Sequence, residues 1–256
     1  MSTTTLTDAD RARWVLRHGD DCLVLAQRLG AQVSRGPDLE EDIAIANVSI
    51  DLLGQARAFL THAGDLEGDG RTEDDLAMGR EERAFTNLLL VEQPDTDFAH
   101  TIVRQFLFDA YQVPFYEALS ASRDETLAGI AQKGLKEARY HLSHSGGWLV
   151  RLGDGTTESH DRTVEALGIL FRFTDELFEA DDLDRSMVDA GLGVDPGTLR
   201  PAWESTVERV LTDATLELPT DAGTRSGGRS GFHTEHLGHL LSDLQYLHRA
   251  HPGAAW

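Results

Sequence analysis

Apolar residues at helical spacing run through most of this sequence and favour packed helices over sheets. They recur three and four positions apart along residues 8–34, 37–63, 98–122 and 125–152, whereas strand patterns are weak. This spacing places an apolar stripe along each helix, and such stripes become buried against one another. The chain is therefore predicted to be all-α, with four long amphipathic helices in a bundle.

Local signals set the expected ends of these helices. Asp124 is a suitable N-cap for the fourth helix. Pro114 is expected to kink the third helix, because its ring blocks an interior hydrogen bond. The length of 256 residues fits one domain, which we expect to span residues 1–256. Shorter helices are expected through Leu90 and at about 160–179, 183–190, 199–216 and 234–250.

Charge and cysteine content narrow the classes of partner and compartment. The formal net charge of −21 opposes binding to nucleic acid or to an anionic membrane, and a basic protein surface fits better. Cys22 is the only cysteine, which excludes an internal disulfide framework and suits a reducing cytosol. No uninterrupted apolar run is long enough to span a bilayer, and the N-terminus lacks the pattern of a secretory signal. We expect a soluble, cytoplasmic protein.

Acidic residues occupy two positions at which a di-iron protein would carry metal ligands. In ferritin-like di-iron bundles, two helices each supply Glu-x-x-His, whose carboxylate can bridge the metals while the histidine ligates one iron. Here Asp51 and Glu137 stand at the acid positions, but Gly54 and Tyr140 stand three residues later. The pattern predicts the frame of such a bundle without its metal chemistry.

Three acids are expected to point inward, because Asp51, Asp109 and Glu137 lie beside apolar stripes. A buried carboxylate needs compensation, and two interpretations are open. In one, these acids and His141 form a metal site. In the other, which we favour, they pair with basic side chains, contact water or simply face solvent, and Gly54 permits close approach between helices. The stripe of the second helix is expected at Ile43, Ala46, Ile50, Leu53 and Leu60, and basic partners at Arg57, Lys133, Lys136 or Arg139.

A second group of candidate residues lies near the C-terminus. His236 and His239 could bind zinc, but no cysteine accompanies them, so hydrogen bonding or interface contact is favoured. The preceding loop is rich in glycine and arginine and could grip a phosphate or become ordered against a partner. The candidate partner-contact residues are Arg225, Gly228, Arg229, His233 and His236.

Several blocks along the chain carry a family resemblance. They are GDDCLVLAQRLG from Gly19, DLLGQAR from Asp51, NLLLVEQP from Asn87, KEARYHL from Lys136, LGDG from Leu152, HTEHLG from His233 and the terminal Trp256. In this order, over nearly the full length, the chain resembles the C subunit of the multicomponent phenylacetyl-CoA ring 1,2-epoxidase of bacterial phenylacetate degradation.

The resemblance implies a ferritin-like helical bundle that pairs with a homologous A subunit. In that family the di-iron centre and the substrate site lie in the A subunit, while the C subunit is structural. The complex would use O2 and electrons from a separate reductase subunit to epoxidise the aromatic ring. For this chain the resemblance implies no catalytic residue and no cofactor of its own. It makes these residues vestiges of a metal site: Asp51, Gly54, Asp109, Glu137, Tyr140 and His141.

Two other functions remain open from the residues alone. The chain could itself be a divergent metal-dependent oxidase that uses Asp51, Asp109, Glu137 and His141. It could also be a CoA-thioester binding module in which the basic loop from Arg225 to Arg229 contacts the CoA phosphates.

Overall fold

The computed structural model describes residues 6–220 and 222–254. Within these residues the regular structure is helical, without strands, so the all-α prediction is confirmed. Residues 1–5 of the N-terminal segment and Trp256 of the family resemblance lie outside the described residues. The α-helices of the described part are α1 (Asp8–Gln32), α2 (Leu39–Glu67), α3 (Glu73–Met78), α4 (Phe98–Leu119), α5 (Glu125–Gly153), α6 (Thr157–Leu170), α7 (Asp182–Asp189), α8 (Arg200–Asp213) and α9 (Glu235–Ala250).

Local capping signals correspond well to the observed helix ends. Asp124 caps α5 as predicted, since its Oδ1 accepts hydrogen bonds from Thr126 N at 3.0 Å and Leu127 N at 3.2 Å. Thr7 and Asp10 form a reciprocal capping box at the start of α1. Pro114 lies inside α4, which continues to Leu119, and its kink stays a prediction.

The helix expected through Leu90 is wrong in extent, because α3 ends at Met78 and residues 79–97 are mostly irregular. Two backbone amides of this segment hydrogen-bond to acidic side chains of α1. Thr86 N donates to Asp20 Oδ2 at 2.9 Å, and Leu88 N donates to Asp21 Oδ1 at 2.7 Å. These distant carboxylates satisfy the amides that a helix would otherwise have used.

The chain divides into two compact units. Unit 1 comprises the described residues of Met1–Arg35, Leu39–Glu92 and Gly227–Trp256, and unit 2 comprises Gly36–Asp38 and Gln93–Ser226. In unit 1, α1 packs along α2, and α9 contacts α1 and α3. In unit 2, α4 packs along α5, and α6 and α8 contact this pair. The expectation of a single domain stays a prediction.

The apolar stripe predicted for α2 is wrong for most of its length. Ile43, Ile50 and Leu53 are 53%, 64% and 45% exposed, although Leu60 is buried as expected. The residues that face the core of unit 1 instead include Ile45, Val48, Leu52, Ala56 and Phe59. Two faces of α2 are apolar, so helical spacing alone fits either of them.

Helix α2 is also long and apolar enough to cross a membrane, judged by length and composition alone. Its most apolar window of 18 residues has a mean hydropathy of 1.3, yet only 39% of that window is buried within the described structure. A helix that is apolar on most sides is usually buried on most sides. Unit 1 buries one side of α2.

A glycine on α5 sets the spacing between α4 and α5. A Cβ added at Gly134 would lie 2.8 Å from Cε2 of Tyr116, whose side chain is buried. Gly129 on the same helix is exposed and has no heavy atom within 4 Å of the equivalent position. Substitutions at the two glycines therefore distinguish the effect of close packing from the effect of helix propensity.

We predict opposite effects for alanine at these two glycines. Gly134→Ala should lower the free energy of unfolding by about 1–3 kcal/mol, because the new methyl group overpacks the buried Tyr116 ring. Gly129→Ala should raise it by about 0.5–1 kcal/mol, because alanine is the better helix former. Urea unfolding followed by circular dichroism measures both. Equal shifts for the two variants would contradict the assigned close contact.

Candidate functional site

Asp109 is the fully buried carboxyl group among the predicted ligand positions of unit 2. Gln105, one turn earlier on α4, donates from Nε2 to Asp109 Oδ1 at 2.6 Å. Ser145 on α5 donates from Oγ to Asp109 Oδ2 at 2.7 Å. Burial raises the pKa of Asp109 to about 8, and the hydrogen bonds from Ser145 and Gln105 only partly oppose this rise. The carboxyl group is therefore mainly protonated at neutral pH.

The predicted ligand positions on α5 diverge. Glu137 Oε1 lies 3.6 Å from Nζ of Lys133, one of the basic partners expected from the sequence. Tyr140 is 54% exposed, and its ring stacks on His144 with centroids 6.4 Å apart. His141 is fully buried, on the same side of α5 as Ser145. Glu137 and Tyr140 thus do not both face the buried carboxyl group of Asp109.

The predicted positions on α2 belong to unit 1. Asp51 is half-buried and Gly54 is exposed, so neither lies in the buried core of that unit. Nothing lies within 4 Å of the position that a Cβ would take at Gly54. Asp51 and Glu137 are only partly buried, and the expectation that these two acids point inward stays a prediction. Gly54 makes no close helix contact within the described chain.

The donor chemistry of these positions does not fit a ferritin-like di-iron centre. Such a centre uses ionised carboxylates from four helices and two histidines. Both oxygens of Asp109 are already hydrogen-bonded to neutral groups, and Tyr140 is exposed. Over residues 6–220 and 222–254, no group of three or more His, Cys, Asp or Glu side chains is arranged to hold a metal.

Unit 1 contains a buried ionic network that begins at two consecutive acids of α1. Asp20 is fully buried and accepts hydrogen bonds from both terminal nitrogens of Arg80, with Nη1 at 3.0 Å from Oδ2. Thr86 adds two more donors, its backbone N and its Oγ1. A bidentate guanidinium with further donors is the arrangement that best offsets the desolvation of a carboxylate.

Asp21 is the second acid of the network. Arg229 donates to it from Nη1 at 3.1 Å and from Nη2 at 2.8 Å, and Leu88 N donates at 2.7 Å. Arg229 Nη1 also donates to the carbonyl oxygens of Arg17 and Thr86. Burial raises the pKa of Asp21 to about 6 against the opposing effect of Arg229. Both terminal nitrogens of Arg229 are therefore engaged inside unit 1.

Glu92 is the third buried acid and binds the segment that precedes α9. His233 Nδ1 lies 2.8 Å from Glu92 Oε2, and His233 Nε2 donates to the carbonyl oxygen of Phe85 at 2.9 Å. Thr234 donates to Oε1 from its N and Oγ1, and Asn87 donates to Oε2. Burial lowers the pKa of His233, but its bonds to Glu92 and Phe85 outweigh this and raise the pKa above the ordinary value.

The structure separates the candidate partner-contact residues. Arg229 and His233 take part in the network of unit 1, and Gly228 is buried against the backbone at Asn87. Arg225 is exposed and belongs to unit 2. The carbonyl oxygen of His236 accepts a hydrogen bond from Arg28. Arg229 is thus occupied rather than open to a phosphate, and partner contact through Arg225 and His236 stays a prediction.

This network was not predicted from the sequence, although one signal was present. Asp20 and Asp21 interrupt the apolar part of α1, and Glu92 follows the run LLLV. Acids inside apolar helical segments indicate buried charges that need partners. The identity of those partners was not visible, because Arg229 is about two hundred positions from Asp21 in the chain.

We predict that removing one partner of a buried ion pair lowers the free energy of unfolding more than removing both partners. Arg229→Met should lower the free energy of unfolding by roughly 3–5 kcal/mol, since it leaves the buried Asp21 without its cation. Asp21→Asn combined with Arg229→Met should recover a substantial part of that loss. Urea unfolding of the single and double variants measures the coupling. Strict additivity of the two substitutions would contradict the assigned pair.

The raised pKa of Asp109 predicts a distinct dependence of stability on pH. Between about pH 4 and pH 8 the folded state keeps a proton on this side chain that the unfolded state loses. The stability of the wild type should therefore fall relative to Asp109→Asn by about 1.4 kcal/mol per pH unit in that window.

Unfolding free energies of both proteins at several pH values test this prediction. The exposed Asp189→Asn is the control, and its curve should run parallel to that of the wild type. If the curves of Asp109→Asn and the wild type run parallel, Asp109 is ionised in the folded protein.

Comparison with known proteins identifies the family. The model of the phenylacetic acid catabolic protein family matches residues 2–256. The C subunit of the 1,2-phenylacetyl-CoA epoxidase of Escherichia coli (strain K12) is 52% identical over 243 residues, which cover 95% of this chain and 98% of that protein. The family is ferritin-like, so the predicted fold class is confirmed together with the resemblance. This chain belongs to the phenylacetic acid catabolic protein family.

Proposed function

We propose that this chain is the structural C subunit of a multicomponent di-iron monooxygenase that epoxidises the aromatic ring of phenylacetyl-CoA. The observation that carries the proposal is the 52% identity, over nearly all of both chains, to the C subunit of the Escherichia coli 1,2-phenylacetyl-CoA epoxidase. Near-complete coverage of both chains favours the same role within the complex.

The absence of catalysis in this chain is supported by its polar interior. Burial keeps Asp109 mainly as a neutral carboxyl group, and both of its oxygens are engaged by Gln105 and Ser145. Glu137 pairs with Lys133 near the surface, and Gly54 offers no side chain. We therefore propose that this chain binds no cofactor. The di-iron centre would lie in the homologous catalytic A subunit, which supplies oxygen activation when the metals are bound.

The proposed role of this chain is to stabilise the A subunit in a cytoplasmic hetero-oligomer with accessory and reductase subunits. The ionic network of unit 1 suits a scaffold, because it ties α1, the irregular segment 79–92 and the C-terminal segment together through Asp20, Asp21 and Glu92. Fully paired buried charges favour one defined arrangement of these segments.

The two alternative functions lack a favouring observation. A metal-dependent oxidase would need the oxygens of Asp109 as ligands, but both accept hydrogen bonds from Gln105 and Ser145. A CoA-binding module would need the guanidinium of Arg229, but Asp21 and two carbonyl oxygens occupy it.

The proposal predicts that the A subunit depends on this chain but that the chemistry does not use its side chains. The A subunit should be less soluble and melt at a lower temperature when expressed without this chain. Glu137→Gln and Tyr140→Phe in this chain should leave the kcat of the reconstituted complex within about twofold of the wild type.

Co-expression followed by an epoxidation assay with phenylacetyl-CoA, O2 and the reductase measures both effects. A fall in kcat of roughly 100-fold or more in an intact complex carrying Glu137→Gln would assign this chain a catalytic role and contradict the proposal.

A further inference from the structure

The exposed side of α2 is apolar along the N-terminal half of the helix. Leu39, Ile43, Ile50 and Leu53 are 70%, 53%, 64% and 45% exposed. Their spacing of four, seven and three positions places them on one face, opposite the residues that pack inside unit 1. Isolated exposed apolar residues are common, but a continuous stripe of this length marks an interaction surface.

A pocket continues this stripe at its C-terminal end. Its volume is about 430 Å³, and it lies among α1, α2 and α3 in unit 1. Arg57 stands at the pocket and forms an ion pair with Glu73 at 2.9 Å. A pocket of this kind beside an apolar face can accept a large apolar anchor from a partner. Its lining includes Leu23, Leu53, Ala56, Leu60 and Met78.

Gly54 lies on the same side of α2 and has no explanation within the described chain. It is exposed, and the position of its missing Cβ is surrounded by open space. Glycine inside a helix lowers stability relative to alanine, so neither helix formation nor internal packing accounts for it. A backbone that approaches α2 from outside would account for it, because glycine permits the closest contact.

The charges of α2 indicate which kind of partner fits this face. The helix carries six acidic residues and one basic residue. A second copy of this chain, with a net charge of −21, would bring more negative charge, and an anionic membrane would do the same. Electrostatic complementarity therefore favours a partner with basic side chains around an apolar centre.

We propose that the face formed by Leu39, Ile43, Ile50, Leu53 and Gly54, hereafter the α2 face, binds a helix of the catalytic A subunit. That helix is apolar along one side and flanked by lysine or arginine, and it places a large apolar side chain in the adjoining pocket. This inference rests on the proposed function and adds to it the surface through which the two subunits associate.

The first test replaces one apolar residue of the α2 face with a charge. Ile50→Glu should weaken binding to the purified A subunit by roughly 30-fold or more, because the interface would desolvate the new carboxylate. The matched control is Val164→Glu, an aliphatic residue on α6 that is 48% exposed, and it should change Kd by less than about threefold. Biolayer interferometry with full-length proteins measures Kd. Thermal unfolding should show that both variants alone remain folded.

The second test uses substitutions that affect the chain and the complex in opposite directions. Gly54→Ala should raise the melting temperature of the isolated chain by roughly 1–4 °C and weaken binding to the A subunit at least about tenfold. Gly129→Ala, the exposed glycine of α5, should raise the melting temperature similarly and leave Kd unchanged. A loss of affinity without any loss of stability in the isolated chain would not follow from a role of Gly54 in folding.

The outcomes separate this inference from the proposed function. If the A subunit binds the wild type and Ile50→Glu equally well, the α2 face is not the interface, although the proposed function stands. If the A subunit does not bind the wild type at all, the proposed function fails first. If light scattering shows that Ile50→Glu instead breaks a homodimer, or it abolishes binding to phosphatidylcholine vesicles, the assigned occupant is wrong.

Discussion

A carboxylate buried in a protein must recover the hydration free energy that it loses, and this constraint shapes both units of the chain. Unit 1 pairs its buried acids with cations, Asp20 with Arg80 and Asp21 with Arg229. Unit 2 removes the charge instead, since Asp109 is protonated and surrounded by neutral donors. In both units the carboxyl oxygens of the buried acids accept hydrogen bonds from groups of the same unit. A metal ion would have to break these bonds before it could gain ligands.

The proposed subunit role would place the functional features of the chain on its surface. Helix α2 is apolar on two faces, and α1 covers only one of them. The other face combines exposed aliphatic side chains, an open glycine at Gly54 and a predominantly acidic border. These properties suit a subunit of a larger complex, and they agree with the high identity to an epoxidase C subunit.

Local patterns could be predicted from the sequence, whereas choices between equivalent faces and distant pairings could not. The N-cap at Asp124 and the long helices follow from neighbouring residues alone. Helical spacing identified Ile43 and Ile50 as one stripe of α2, but it could not show that the other stripe is the buried one. Likewise the acids of α1 were visible, but their contacts with Arg80 and Arg229 depend on tertiary folding. At the ligand positions the loss of Glu-x-x-His was evident from the sequence, while the neutral state of Asp109 follows from its complete burial, which depends on tertiary folding.

The central claim is that the acids of this chain serve its own fold and that metal chemistry belongs to its partner. Elemental mass spectrometry after expression in iron-supplemented medium tests it most directly, with the chain purified alone and in complex with the A subunit. We expect no stoichiometric metal in the chain alone and about two irons per heterodimer in the complex. Stoichiometric iron in the chain alone, lost on Glu137→Gln or Asp109→Asn, would contradict this claim.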